Sequence, residues 1–441
     1  MIEFYIFKVI SLIFSLLILL FGILIKKWNG GKYTPSTFYS YFWFLITFLP
    51  MIILINIPIS PIAIFYIFIG SILFSLPSLF FNWSLASKSL EKNSKSTINS
   101  FKSKFFKKIF FVTFFLSIYF LLLMLIQNGL NLTSFLLDFL GASTQFANNR
   151  TLYDYQYGLV GQLTTMFPFV VVIMGSFISF FSNNKRSKLL IFLLSMFPIT
   201  LSMLLQSSKI LLLYGLLFYI SVYIFLKLYT RDSNFINKKN LKRVIYFLIF
   251  FSPILLIAFR SREGYHEIGV FEIGPLLFSY LFGSIYAFCD FFSWYMGFSS
   301  IDTYVIESNL TFGYYSFKPL FEFFGGTKVF PIGYYEKAFN YEYFIQSNIF
   351  TYFRQLIQDF GVLGSLLFIL LMGIIIHYFY YLLHRMRTPF FFIVIFIVFL
   401  VWLGLSYLIN AFTNRALFGV GFIMFFIFKL NMVRFNYKSI K

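Results

Sequence analysis

The eight residues Arg260-Ser-Arg-Glu-Gly-Tyr-His-Glu267 place two guanidinium groups, two carboxylates and an imidazole within one short stretch. Such a set suits acid–base work beside an anion: a carboxylate or imidazole takes a proton from a hydroxyl while arginine steadies a departing phosphate. Glu263 is the first candidate for the base and His266 the second, since both lie within four residues of the arginine pair. Arg260 and Arg262 are candidates for holding pyrophosphate, because arginine's planar fork grips two phosphate oxygens at once and lysine's point charge does not. The plain alternative is a solvated loop whose charges pair with one another.

The chemistry that is missing narrows the field. The sequence holds no phosphate-cradling glycine-rich loop, no G-x-S-x-G, no H-E-x-x-H and no strand–helix alternation of a nucleotide fold. His377 and His384 stand seven apart on one helix face without an acid or third histidine, and are read as packing residues. Cys289 is the single cysteine, which excludes an internal disulfide and a cysteine metal cage. Neither metal nor cofactor is expected.

A chain that is 60% hydrophobic and only 11% charged must be solvated by lipid, because globular chains carry about 25% charge. Its net charge of +20 does not point to nucleic acid, since the bases sit in short clusters between apolar runs. Crossing the hydrocarbon layer takes about 20 apolar residues per helix. Eleven such runs are expected, near residues 4–25, 38–57, 62–83, 109–127, 159–182, 189–206, 210–228, 244–259, 362–381, 389–410 and 416–430. The first, lacking a basic n-region and a cleavage site, reads as a retained span.

Positive loops stay on the cytoplasmic side. Twenty-five of the 35 bases fall on alternate connections and their span ends, which assigns those connections to the cytoplasm. Residues 260–361 then face the opposite compartment. That segment holds ten of the chain's 15 acids and six of its bases, a net −4 against +24 for the remainder. The expected organisation is residues 1–259 with eight spans, 260–361 as one long extracytoplasmic loop, and 362–441 with three spans and a cytoplasmic tail. Pro275–Phe298 is apolar enough to imitate a twelfth span, but crossing there would invert everything downstream and bury Asp290 in hydrocarbon. It is read as a helix lying in the outer interface or dipping into the membrane without crossing it. The Lys- and Ser-rich stretch Leu85–Lys104 is expected to be a flexible loop. Outer loops normally shed positive charge, so Arg150, Arg354, Arg415 and Lys209 on that face join Arg260 and Arg262 as candidate phosphate or glycan contacts.

Two further stretches carry a family likeness: Asn348-Ile-Phe-Thr-Tyr-Phe-Arg-Gln-Leu-Ile-Gln-Asp-Phe-Gly-Val-Leu-Gly364, and Ser279-Tyr-Leu-Phe-Gly-Ser-Ile-Tyr-Ala-Phe-Cys-Asp290 followed by Asn309-Leu-Thr-Phe-Gly313. With the long late outer loop, they resemble the oligosaccharide repeat unit polymerases of the Wzy type, which build O-antigen and capsular polysaccharide. The chain departs from the family in having Lys209 where arginine is frequent, and in lacking its paired Arg-x10-Gly motif. The resemblance implies a membrane-embedded C-type glycosyltransferase in the bacterial cytoplasmic membrane, with its active site on the extracytoplasmic face. Its substrates would be undecaprenyl-pyrophosphate-linked oligosaccharides, with a chain-length regulator as possible partner. It also makes Asp290 a candidate base and Asp359 a further one, although Asp359 also suits a helix cap before Gly361. An O-antigen ligase shares donor and topology, and a flippase or transporter of lipid-linked glycans is the alternative outside enzymes. Inverted repeats and mid-membrane charges, which mark transporters, are not evident in the sequence.

Overall fold

The computed structural model describes residues 2–101, 104–129, 158–206, 208–230, 270–298, 310–326, 334–341, 345–386 and 389–440, with positions 133, 141 and 304. Its helices are α1 (Ile2–Trp28), α2 (Pro35–Ile53), α3 (Pro61–Ser75), α4 (Trp83–Phe101), α5 (Lys104–Gln127), α6 (Leu159–Phe181), α7 (Lys185–Gln206), α8 (Lys209–Tyr229), α9 (Val270–Tyr295), α10 (Lys318–Phe323), α11 (Tyr352–Arg385), α12 (Phe390–Leu405) and α13 (Arg415–Ile440). Among the described residues a single antiparallel hairpin, β1 (Tyr334–Tyr341) and β2 (Ile345–Ile349), interrupts them. Among the described residues eight helices are long and apolar enough to cross a membrane: α1, α2, α3 with the short 3-10 turn Leu76–Phe80, α5, α6, α7, α8 and α11. The chain is a helical, multi-pass membrane protein. The expected run 244–259 lies outside the described residues, the run 416–430 falls within α13, and the run 389–410 forms a 16-residue helix that stops at Leu405.

The expectation for Leu85–Lys104 is corrected: its residues up to Phe101 are helical. Ala86, Leu90, Thr97 and Phe101 are all buried, and their spacing puts them on one face of a 3.6-residue period. Serines and lysines on the other faces mask that stripe in the composition.

Two compact units emerge, both discontinuous in sequence. The first comprises residues 1–90, 270–392 and 402–414, and the second 91–269, 393–401 and 415–441. In the second, Phe101, Phe106, Phe177 and Phe428 form an edge-to-face and stacked aromatic cluster.

The first unit is laced by polar side chains, which lipid would otherwise leave unsatisfied. Ser15 and Thr47 bond at 2.7 Å between α1 and α2. His377 on α11 places Nδ1 at 2.6 Å from the Gly373 carbonyl, and Nε2 accepts from the Ser36 backbone N–H at 3.1 Å. His377 is therefore a packing residue between α2 and α11. α3 comes so close to α11 that a Cβ on Gly373 would stand 2.4 Å from the Phe74 carbonyl oxygen.

These contacts also sort the unit's two ends. Lys26 over the Tyr33 ring, and Tyr380 donating to the Tyr33 carbonyl, join the basic end of α1 to that of α11 with His384 and Arg385. At the other end Lys8 donates to the carbonyls of Leu54, Ile55 and Ile57, at and just beyond the C-cap of α2. Tyr286 of α9 donates to Pro50, and Tyr341 of the hairpin to Asn56. α9 and the hairpin thus lie at the end away from Lys26 and Arg385, whereas the start of α11 turns back into the unit, where Phe353 and Ile369 both face Gly70 and the Tyr352 and Tyr39 hydroxyls bond at 2.5 Å. β2 runs along α9, with Gly283 against Ser347 and the Ser279 hydroxyl accepting from the Gln346 N–H at 3.0 Å.

Candidate active site

The first two turns of α11 gather two other segments of the first unit along one face. Tyr352, Gln355 and Asp359 are spaced three and four apart and share a helix face. The Tyr352 N–H donates to the Ser406 carbonyl at 2.9 Å, and the Gln355 Oε1 accepts from the Asn410 N–H at 2.9 Å. Asn410 in turn accepts from the Trp402 indole at 3.1 Å. Asp359 is fully buried and collects the segment 311–316: the Thr311 hydroxyl donates at 2.5 Å, the Tyr315 N–H at 2.9 Å and the Ser316 N–H at 2.7 Å. Just beyond, Gly361 adopts φ 70° and ψ 179° and kinks the helix, a conformation open essentially to glycine alone.

Arg354 projects elsewhere from the same turn. Its guanidinium carbon stands 3.9 Å from the Phe350 ring centroid, 4.6 Å from Phe291 and 5.3 Å from Tyr304. The three rings meet edge to face, Phe291 with Tyr304 at 89° and Tyr304 with Phe350 at 80°. This is a cation–π enclosure around the guanidinium. The Tyr304 hydroxyl reaches out of the enclosure to Asp290 and donates to Oδ2 at 2.5 Å. Burial, reinforced by the hydrogen bond to Asp290 and its negative charge, holds the Tyr304 phenol well above the usual tyrosine range, while Arg354 opposes the shift. Asp290 itself is half-buried on α9.

Two sequence candidates, Asp290 and Arg354, are therefore brought to one cluster through Tyr304. Asp359 lies within two turns of Arg354 on the same helix, and its hydrogen bonds run to the 311–316 segment. Lys209, buried at the start of α8, and Arg415, exposed at the start of α13, belong to the second unit. Arg150, Arg260, Arg262, Glu263 and His266 lie outside the described residues. Sequence reasoning missed Tyr304, Phe350 and Phe291 as partners of Arg354. The only hint was the adjacency of Phe291 to Asp290 and the four-residue spacing of Phe350 and Arg354. Comparison with protein families, with curated proteins and with solved structures finds no match to this chain.

Proposed function

We propose that the chain is a membrane-embedded glycosyltransferase that polymerises undecaprenyl-pyrophosphate-linked oligosaccharide repeat units at the outer face of the bacterial cytoplasmic membrane. The observation that carries this reading is the Asp290–Tyr304–Arg354 cluster. A carboxylate within two residue contacts of an aromatic-walled guanidinium is what the chemistry asks for. The acceptor sugar hydroxyl attacks the anomeric carbon of the growing glycan, a base takes its proton, and the bond from that carbon to the pyrophosphate oxygen breaks. Undecaprenyl pyrophosphate leaves with the electron pair, and arginine stabilises the charge that develops on it. Arg354 is assigned to that anion, and Arg260, Arg262 and Arg150, outside the described residues, stay candidates on the sequence alone. Asp290 is the base to be tested first among the described candidates, beside Glu263 and His266. An activated lipid donor also accounts for the missing nucleotide motif in the sequence.

The test is deletion of the gene followed by complementation, with the surface glycan resolved on a gel. Capped single repeats in the deletion, restored to a ladder by the wild-type chain and not by Asp290→Asn, support polymerisation. Loss of surface glycan with accumulated carrier-linked polymer identifies a ligase. Single lipid-linked units held at the inner leaflet identify a flippase.

A further inference from the structure

The segment 310–326 is fastened to α11 along one side and bare along the other. Asp359 grips it through Thr311, Tyr315 and Ser316. Phe317 packs on Phe368 at 5.7 Å and stacks on Phe412 at 5.9 Å, and Gly313 lies against Phe360, which stacks on Phe368 at 5.3 Å. Yet Phe312, Phe323 and Phe324 remain 74%, 83% and 82% exposed. Three such phenylalanines on one short segment are costly in water.

The depth of the attachment says what covers them. A helix rises about 1.5 Å per residue, so the roughly 30 Å hydrocarbon layer spans about 20 residues. Counted back along α11 from the interfacial His384, that distance ends at Gly364, between the two rings that anchor the segment, Phe360 and Phe368. At this level α11 already presents bare leucines, Leu363 at 78% and Leu367 at 61% exposure. The exposed phenylalanines continue that lipid-facing surface sideways.

We propose that Phe312–Phe324 is a membrane anchor, with Phe312, Phe323 and Phe324 immersed among lipid acyl chains at the boundary of the hydrocarbon layer. The Lys318–Glu322 pair, 3.9 Å apart on α10, stays at headgroup level. The anchor, pinned at Asp359, holds the entrance of α11 at fixed depth and is independent of the catalytic reading.

The full chain in lipid nanodiscs, with Cys289→Ala as background, carries a nitroxide at Phe312→Cys, Phe323→Cys or Phe324→Cys. Collision with oxygen and with a water-soluble nickel chelate is compared at each site. Leu367→Cys is the lipid reference and Gln346→Cys, exposed on β2, the aqueous one. Oxygen collisions exceeding nickel collisions, as at position 367, are expected at all three. Nickel access matching position 346 at Phe323→Cys or Phe324→Cys overturns the proposal. Should Cys289→Ala fail to fold, Phe324→Trp in the otherwise native chain replaces the label. Added quenching by lipids brominated on the acyl chain supports the anchor, and unchanged quenching relative to the native chain overturns it.

Discussion

The Tyr304 hydroxyl donates to Asp290 at 2.5 Å while the face of the same ring lies 5.3 Å from the Arg354 guanidinium. One side chain thereby sets the position of an acid and a base that are 64 residues apart in sequence. Tyr304→Phe keeps the ring and removes the bond. Because Asp290 is half-buried and water can replace the lost donor, the expected cost is about 1 kcal/mol, read as a lowered unfolding midpoint in nanodiscs. Tyr304→Leu, which also removes the aromatic wall, should cost more.

The pH dependence of that difference has a definite sign. Burial, with the charge and hydrogen bond of Asp290, raises the Tyr304 phenol in the folded state. A raised acid contributes its stability fully below the unfolded tyrosine pKa of about 10 and loses it as pH climbs through the folded value. The gap between the wild type and Tyr304→Phe should therefore stay constant from neutral pH to about 10 and narrow above it. A gap that widens in alkali would contradict the assignment.

Arg354→Lys keeps the charge but loses the planar fork and much of its stacking on Phe350 and Phe291. Under the proposed function, one lost charge-assisted contact costs roughly 1.5–3 kcal/mol, or about 10- to 150-fold in polymerisation rate. Ladders of normal length from Arg354→Lys at normal protein level would remove Arg354 from the pyrophosphate site.

Asp359→Ala should strand the Tyr315 and Ser316 N–H groups that its carboxylate now receives. Each orphaned buried donor costs about 1–3 kcal/mol. Residues 310–326 should become the first site of limited proteolysis, with thermal stability reduced. Protection equal to the wild type would show that another group holds that segment.

Two glycines of α11 are predicted to matter for different reasons. Gly361→Ala meets open space, with Leu310 the nearest neighbour at 4.0 Å, so its expected cost of about 1–3 kcal/mol is purely conformational. Gly373→Ala has ordinary backbone angles but drives a methyl into the Phe74 carbonyl at 2.4 Å, so α3 and α11 must separate. Thermal unfolding of both variants, combined with crosslinking between α3 and α11, distinguishes them: only Gly373→Ala should weaken the crosslink.

Labelling of Lys318→Cys and His384→Cys with an impermeant thiol reagent in intact cells checks the orientation. Position 318 is expected to react from outside and position 384 only after permeabilisation. A cytoplasmic position 318 would overturn the placement of the 260–361 segment and the proposed site with it.

How much of this was legible in the chain itself follows from range. Long apolar runs separated by clusters of Lys and Arg specify spans one at a time, because each helix satisfies its own backbone in lipid. Eight of the expected spans accordingly coincide with long apolar helices. The stripe Ala86, Leu90, Thr97, Phe101 was equally local, but serines and lysines hid it in composition. The site lay at another level. Asp290 and Arg354 could each be singled out by charge on a segment expected to lie outside, yet nothing in local spacing joins them. Their meeting depends on Tyr304 arriving from a third segment, and on β2 pressing against Gly283 so that α9 lies beside the first turn of α11. Likewise Asp359 looked like a helix cap or a base, and only the packed structure delivers the backbone of Tyr315 and Ser316 to its carboxylate. Hydrophobic runs act within a span, whereas a buried charge takes whatever donors and rings the tertiary fold brings within a few ångströms.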